Sequence, residues 1–82
     1  MKRIIMGIQI GDREAEALKV QELLTKHGCI IKTRLGLHET GNQCSSKGLV
    51  ILEFIPGKDD EVNELQAELE KLDEVTVGMM TF

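Results

Sequence analysis

Two residues near the middle of the sequence have the chemistry of metal ligands. His38 offers an imidazole nitrogen and Cys44 a thiolate, and five residues separate them along the chain. These donors suit nickel, zinc, copper or ferrous iron. Two ligands are too few for a closed tetrahedral site, so two copies of the chain would be needed to complete one. The alternative is a surface histidine beside a free loop cysteine, with no metal.

The segment around Cys44 also suggests an effector site. It contains glycine and serine between Gly41 and Gly48, and backbone amides in such a loop can hold an anionic group. Arg34, Gly41 and Gly48 are the candidate effector-binding residues. The arrangement of a nucleotide phosphate loop, Gly-x-x-x-x-Gly-Lys-Ser/Thr, is absent. A hairpin tip that binds nothing is the alternative.

A nucleophilic role for Cys44 is the enzymatic alternative. His38 would have to act as the base that activates the thiol. Glu39 is poorly placed to orient that histidine, because successive side chains of a strand point to opposite faces. We therefore expect a binding protein and not an enzyme.

The other reactive side chains have simpler interpretations. His27 is expected at a helix C-terminus, where a partial positive charge interacts favourably with the helix dipole. Cys29 is expected as a buried small residue at the start of a strand. Since Cys44 falls in a polar loop, we expect no disulfide between the two cysteines. Reduced thiols favour a cytoplasmic location.

Composition excludes several classes of partner. The 82 residues fit one domain spanning the chain, with 10 basic and 14 acidic side chains and a net charge of -4. Nucleic-acid binding requires a basic surface and often aromatic platforms, but this sequence has no tryptophan or tyrosine and two phenylalanines. No apolar run approaches the roughly 20 residues of a membrane span. We expect no direct contact with nucleic acid or membrane.

Hydrophobic periodicity predicts the element order β-α-β-β-α-β. The predicted strands cover residues 2–10, 29–38, 48–55 and 74–82, and the predicted helices cover residues 13–27 and about 59–72. Asp12 and Asp59 or Asp60 are expected to cap the helices, and Gly28 is expected to end the first. Right-handed crossovers then place both helices on one face of an antiparallel sheet. This is an α+β, ferredoxin-like arrangement with the first and third strands in the centre.

The pattern also assigns the two faces of the sheet. The side chains predicted to face the helices are Ile4, Met6, Ile8, Ile10, Leu35, Leu37, Val50, Leu52, Phe54, Val75, Val77 and Met79. The apolar residues predicted on the open side are Ile5, Ile30, Leu49, Ile51 and Ile55, with Arg34 opposite Glu53. An apolar patch of this size is unusual on a monomer, so it predicts a homo-oligomer formed through the open side. Scattered surface aliphatics are the alternative.

Three segments resemble one protein family. They are Thr33–Glu39 with Cys44-Ser45, Gly48–Glu53, and Val75–Met80 at the end of the chain. With the element order and length, they resemble the iron-only hydrogenase system regulator family across nearly the whole chain. The resemblance implies an ACT-like regulatory domain whose partner is a hydrogenase-maturation protein.

That family is similar in turn to ACT domains and to the C-terminal half of nickel-responsive regulators. The nickel regulators have a His-x-His pair followed by a cysteine, and His38 and Cys44 match its second histidine and its cysteine. Gly36 stands where the first histidine would be, so one ligand is missing. The ACT turn matches Gly11-Asp12-Arg13, but Glu14-Ala15 replaces its Pro-Gly, which weakens the case for amino-acid binding there.

The hypothesis from the sequence is a regulatory or sensor domain that self-associates and binds a small effector or a transition metal such as nickel, zinc or iron. A protein–protein adaptor that binds no ligand is the alternative.

Overall fold

The chain folds as four antiparallel strands and two helices. The computed structural model describes residues 2–11, 14–37 and 48–82. The elements are β1 Ile4–Ile10, α1 Glu14–Lys26, a short 3-10 turn Gly28–Ile30, β2 Ile31–Leu37, β3 Gly48–Phe54, α2 Asp59–Glu70 and β4 Val75–Thr81. The strands form one sheet in the order β2-β3-β1-β4. This confirms the predicted α+β ferredoxin-like fold, with β1 and β3 in the centre.

The core lies between the helices and one face of the sheet. Strand alternation brings Met6 and Ile8 inward from β1, while Leu65 and Leu69 project from the apolar stripe of α2. Each such side chain contributes roughly 1.5–3 kcal/mol by leaving water. The buried apolar residues are Met6, Ile8, Ile10, Val20, Leu24, Ile30, Val50, Leu52, Phe54, Val62, Leu65 and Leu69.

A β-bulge in β2 overturns the predicted faces of that strand. Ile31 pairs with Phe54, but Thr33 pairs with Glu53, so Lys32 is the extra residue. One extra residue exchanges the two faces of the rest of the strand. Leu35, predicted in the core, therefore lies opposite Ile51 and is 53% exposed.

The same bulge corrects two further predictions. Arg34 pairs with Leu52 and not with Glu53. Its side chain is on the helix face of the sheet, where it donates a hydrogen bond to Gln21 Oε1 of α1. Leu37, another predicted core residue, pairs with Leu49 along the backbone, and its side chain lies outside the described structure.

The connection from α1 to β2, together with the residue that follows β3, corrects four more predictions. Ile30 lies in the 3-10 turn and is buried, while Cys29 beside it is exposed. Ile55 packs against the core, and its N–H donates to Ile30 O at 2.9 Å. Neither isoleucine lies on the open side as predicted. The 3-10 turn directs Ile30 into the core, and Ile55 pairs with Ile30 through its backbone. Gly28 also lacks the left-handed φ of a helix-ending glycine; that conformation occurs at Gly57, with φ 83°.

The start of α2 differs slightly from the prediction. The N-cap is Lys58, with no side-chain capping bond, and both aspartates lie in the first helical turn. There their charges favour the positive end of the helix dipole. Asp59 also forms an ion pair with Lys2, which anchors the chain before β1. The other predicted cap, Asp12, lies outside the described residues.

Neither helix in the described part of the chain is long and apolar enough to cross a membrane.

Candidate functional site

The sequence-predicted site falls partly outside the described structure. His38, Cys44 and Gly41 lie between β2 and β3, outside the described residues, so metal binding there stays a prediction. Gly48 begins β3 opposite Ile10, while Arg34 pairs four positions further along β3. Four residues of a strand span about 13 Å. The strands therefore hold the backbones of these two candidate effector residues well apart.

The side of the sheet turned away from the helices, here called the open face, presents a contiguous group of apolar side chains. Its apolar members are Ile5, Leu35, Leu49, Ile51 and Met80, and its uncharged polar members are Gln9, Thr33 and Thr76. Leu35 and Met80 are more than half exposed. The prediction was right for Ile5, Leu49 and Ile51, and the bulge adds Leu35.

A pair of glycines forms the floor of a groove in the open face. Gly7 of β1 pairs directly with Gly78 of β4. A Cβ added at Gly78 would meet no atom within 4 Å, and one at Gly7 would reach Ile51 Cδ1 at 3.8 Å. The groove has a volume of about 370 Å³, and Ile5, Ile51 and Met80 are among its walls. Bare backbone between aliphatic walls can receive an apolar side chain or a small ligand.

The acidic residue of the open face is neutralised within the chain. Glu53 accepts two hydrogen bonds from the Arg3 guanidinium, from Nε at 2.9 Å and from Nη2 at 3.1 Å. The hydrogen bond from Arg3 lowers the pKa of Glu53, with a smaller opposing effect of burial. A paired carboxylate is much less costly to cover than an isolated one. The open face is therefore compatible with burial against another apolar surface.

A second cluster, on the helix side, was missed by the sequence analysis. His27 follows α1 and is 3% exposed. Its Nδ1 lies 3.0 Å from Glu61 Oε2, and its Nε2 lies 2.7 Å from Glu68 Oε1. Lys26 Nζ lies 2.9 Å from the other oxygen of Glu68. Both ring nitrogens face carboxylate oxygens, which suits an imidazolium that donates twice.

Burial and hydrogen bonding have opposite effects on the pKa of His27. Burial alone would lower the pKa of the imidazole. Hydrogen bonds with Glu61 and Glu68 act the other way, and the net result is a raised pKa. Glu61, Glu64 and Glu68 recur at three- and four-residue steps, and this spacing places their carboxylates on one face of α2. It becomes meaningful only when α1 is known to end against that face.

Comparisons with known proteins place the chain in a family. The model of the TM1266-like, iron-only hydrogenase system regulator family matches residues 2–79. The solved structure of an uncharacterized protein, TM1266 from Thermotoga maritima, has a TM-score of 0.77 and 22% identity, covering 100% of this chain and 99% of that one. No curated protein matches the chain.

Two other solved structures share the fold at lower similarity. The apo form of CPII from Thiomonas intermedia K12, a nitrogen regulatory PII-like protein, has a TM-score of 0.63 and 12% identity, covering 100% of this chain and 90% of that one. The regulatory subunit of aspartate kinase from Thermus flavus has a TM-score of 0.53 and 22% identity, covering 98% of this chain and 50% of that one. Identities this low show a common fold alone. The family match spans nearly the whole sequence, and this chain belongs to the TM1266-like, iron-only hydrogenase system regulator family.

Proposed function

We propose that this chain is a regulatory domain that works as a homo-oligomer formed through its open face, and that a small effector or metal controls it. The observation that carries the proposal is the contiguous apolar surface around the Gly7–Gly78 groove. A domain of this size buries only about 60% of its unfolded surface, so it gains much from a partner.

A second copy of the chain is the occupant that best fits the open face. A twofold arrangement would place the same surface on both sides of the interface, so apolar residues would meet apolar residues. The charge of Glu53 is already paired with Arg3, and the other polar members of the face are neutral. Lys32, exposed at the bulge of β2, also attracts Glu53, and an interface at this end of the face would have to accommodate its charge.

The size of the face indicates a reversible association. Four strands about 4.8 Å apart and about 24 Å long give a flat footprint of roughly 450 Å² per copy. Stable complexes bury about 600–1,000 Å² on each partner. The footprint underestimates the accessible area because side chains corrugate it, but the interface stays at the small end. We therefore expect an equilibrium that shifts over accessible protein concentrations.

Effector control is the second part of the proposal. Closing a second copy over the groove would turn an open volume of about 370 Å³ into an enclosed one, within the range of small-molecule sites. The residues proposed to bind the effector or metal are those predicted from the sequence. They are the transition-metal ligands His38 and Cys44 and the effector residues Arg34, Gly41 and Gly48. Family membership supports the iron-only hydrogenase system as the regulated system. Our proposal adds a hydrogenase-maturation protein as the partner.

Sedimentation equilibrium tests the self-association. The wild-type chain should show a mass that rises with concentration above that of the 9.2 kDa monomer. Leu35→Glu puts a charge in the open face and should give a monomer at all concentrations. Leu18→Glu is the matched control, since Leu18 is an exposed leucine of α1, 60% accessible, and the substitution is the same. A wild-type monomer, or equal effects of the two variants, would contradict the proposal.

Calorimetry tests the metal part separately. The reduced, metal-free protein would be titrated anaerobically with nickel, zinc and ferrous iron, alongside His38→Ala. Loss of one set of binding sites in the variant would support a metal-responsive regulator with His38 as a ligand. Equal binding by both proteins, or no binding by either, would overturn the assignment of His38 without affecting the association experiment.

A further inference from the structure

The helix side of the molecule brings one histidine and two glutamates together. His27 directly follows α1, and Glu64 and Glu68 lie one turn apart on α2. One ligand atom from each of the three, a ring nitrogen and two carboxylate oxygens, lies within 4.8 Å of the others. The elements that converge here are the packed helices of the core, so the constellation is held by the fold and not by a loop.

We propose that His27, Glu64 and Glu68 bind a divalent transition metal ion. The ring nitrogen that serves as ligand is Nε2, which already lies 2.7 Å from Glu68 Oε1. Imidazole together with carboxylate is a donor set used by zinc and by the neighbouring first-row divalent metals. This site shares no residue with the predicted His38 and Cys44 pair, and it stands whether or not the open face forms an oligomer.

The metal would take the place of the direct contact between His27 Nε2 and Glu68 Oε1. Zinc–nitrogen and zinc–oxygen bonds are about 2.0–2.2 Å long, so two ligand atoms on one ion stand roughly 3–3.5 Å apart. The observed 2.7 Å contact needs to widen by less than an ångström, and the Glu64 oxygen lies within 4.8 Å. Small side-chain adjustments are enough, without movement of either helix.

Glu61 supplies the outer contact that a metal-bound histidine requires. Its Oε2 lies 3.0 Å from His27 Nδ1. A ligating histidine usually donates its second N–H to a carboxylate, which fixes the tautomer and the orientation of the ring. Here Nδ1–H would donate to Glu61, leaving Nε2 free of a proton and directed at the ion.

The charge and accessibility of the cluster also fit an ion. With His27 neutral, the three carboxylates of α2 and the ammonium of Lys26 carry two net negative charges, which a divalent cation would balance. Glu64 is exposed and Glu68 is partly exposed, so the carboxylates of the cluster can be reached from solvent. Three protein ligands leave one position for water, the arrangement of an exchangeable site.

Zinc titration of a suitable background tests the proposal. The background protein carries His38→Ala and Cys44→Ala, so that the other predicted site cannot contribute. Calorimetry should give one zinc ion per chain. Glu64→Gln in that background should weaken binding about tenfold or more, because it removes a ligand charge. Since Glu64 is exposed, this variant leaves the core intact, unlike a change at buried His27.

Glu70→Gln is the matched control in the same background. Glu70 is an exposed residue of α2 that lies outside the cluster, and it loses the same charge. It should bind zinc as the background protein does. Absence of zinc binding by the background protein would overturn the proposal, and so would equal affinities of the two variants. Neither result bears on the His38 titration, so the two metal assignments fail separately.

Discussion

At the scale of single residues, His27 is a buried ionisable side chain that connects the end of α1 to α2. It lies between Glu61 and Glu68, whose carboxylates contact its ring nitrogens at 3.0 Å and 2.7 Å. Burial of a charged ring is compensated only while both partners are present. The network therefore fixes how the end of α1 meets α2.

We predict that His27→Ala destabilises the metal-free protein by about 2–4 kcal/mol, since it leaves a cavity and removes a donor from two carboxylates. Urea denaturation at a fixed protein concentration measures the loss. Lys26→Met is the control, because Lys26 is an exposed partner of the same Glu68 and its replacement should destabilise the protein much less than His27→Ala does. An equal decrease in the free energy of unfolding for both variants would show that the buried ring of His27 stabilises the protein no more than an exposed ion pair does.

The Arg3–Glu53 pair gives a prediction about pH. Hydrogen bonding from Arg3 lowers the pKa of Glu53 below its ordinary 4.5. A group with a lowered folded-state pKa stabilises the protein above its unfolded-state pKa, and this contribution is lost as pH falls through the folded value. Wild type should therefore be more stable than Arg3→Met at neutral pH, and the difference should shrink as the pH falls below 4.5.

Denaturation series at several pH values, at one protein concentration, measure that difference. Lys32→Met is a useful control, since Lys32 acts on Glu53 only by a weaker long-range attraction. Its difference from wild type should be smaller at every pH. A difference for Arg3→Met that stays constant into the acid range would contradict the assigned pair.

At the scale of elements, the sequence predicts the six main elements and their order. The spacing of apolar residues differs between helices and strands, and it identifies each element even where its exact ends are uncertain. The sequence does not predict which side chains of β2 face the helices. The bulge at Lys32 shifts the register of β2 against β3, and no residue type in the strand indicates the bulge. Leu35 is therefore misassigned to the core. The open face was recognised from Ile5 and Ile51, which lie on regular strands.

The two clusters that the sequence analysis missed depend on pairing between distant segments. The glycine floor needs the register of β1 against β4, which aligns Gly7 with Gly78. The His27 network needs the end of α1 to meet α2. Neither relation is local, so residue types and spacing alone do not reveal it. The predicted ligands His38 and Cys44 are not tested, since they lie outside the described residues.

Two glycines allow the same substitution to be compared in a crowded and in an open position. Gly11 directly follows β1, and Gly78 lies in the middle of β4. A Cβ at Gly11 would lie 2.7 Å from Glu74 Cβ and 3.1 Å from Glu74 O, where the Gly11 N–H also donates at 2.8 Å. Gly11→Ala must move backbone and should cost about 1–3 kcal/mol. Gly78→Ala meets open space and should be neutral or stabilise by up to about 1 kcal/mol.

Thermal unfolding in a Leu35→Glu background measures both changes without a contribution from association at the open face. Gly11→Ala should lower Tm and Gly78→Ala should leave it equal or higher. The reverse order would mean that the close approach of β1 to the residue before β4 is not as described.

At the scale of the whole molecule, the sheet separates two surfaces of different character. The helix side is closed by the core and by the His27 network. The open face presents Leu35, Leu49 and Met80 to solvent although few of its residues carry charge. An 82-residue chain with one covered and one uncovered sheet face gains stability by covering the second.

If folding and association are coupled in this way, Tm must depend on protein concentration. For a dimer of about 160 residues with an unfolding entropy of about 2.1 cal/mol/K per residue, a tenfold rise in concentration should raise Tm by at most about 4 °C, the value for a dimer that unfolds without a folded monomer. Calorimetric scans of wild type across two decades of concentration measure the slope. Leu18→Glu should keep that slope, and Leu35→Glu should abolish it and lower Tm. A wild-type Tm independent of concentration would mean that the open face stays uncovered and that its apolar residues serve a different partner.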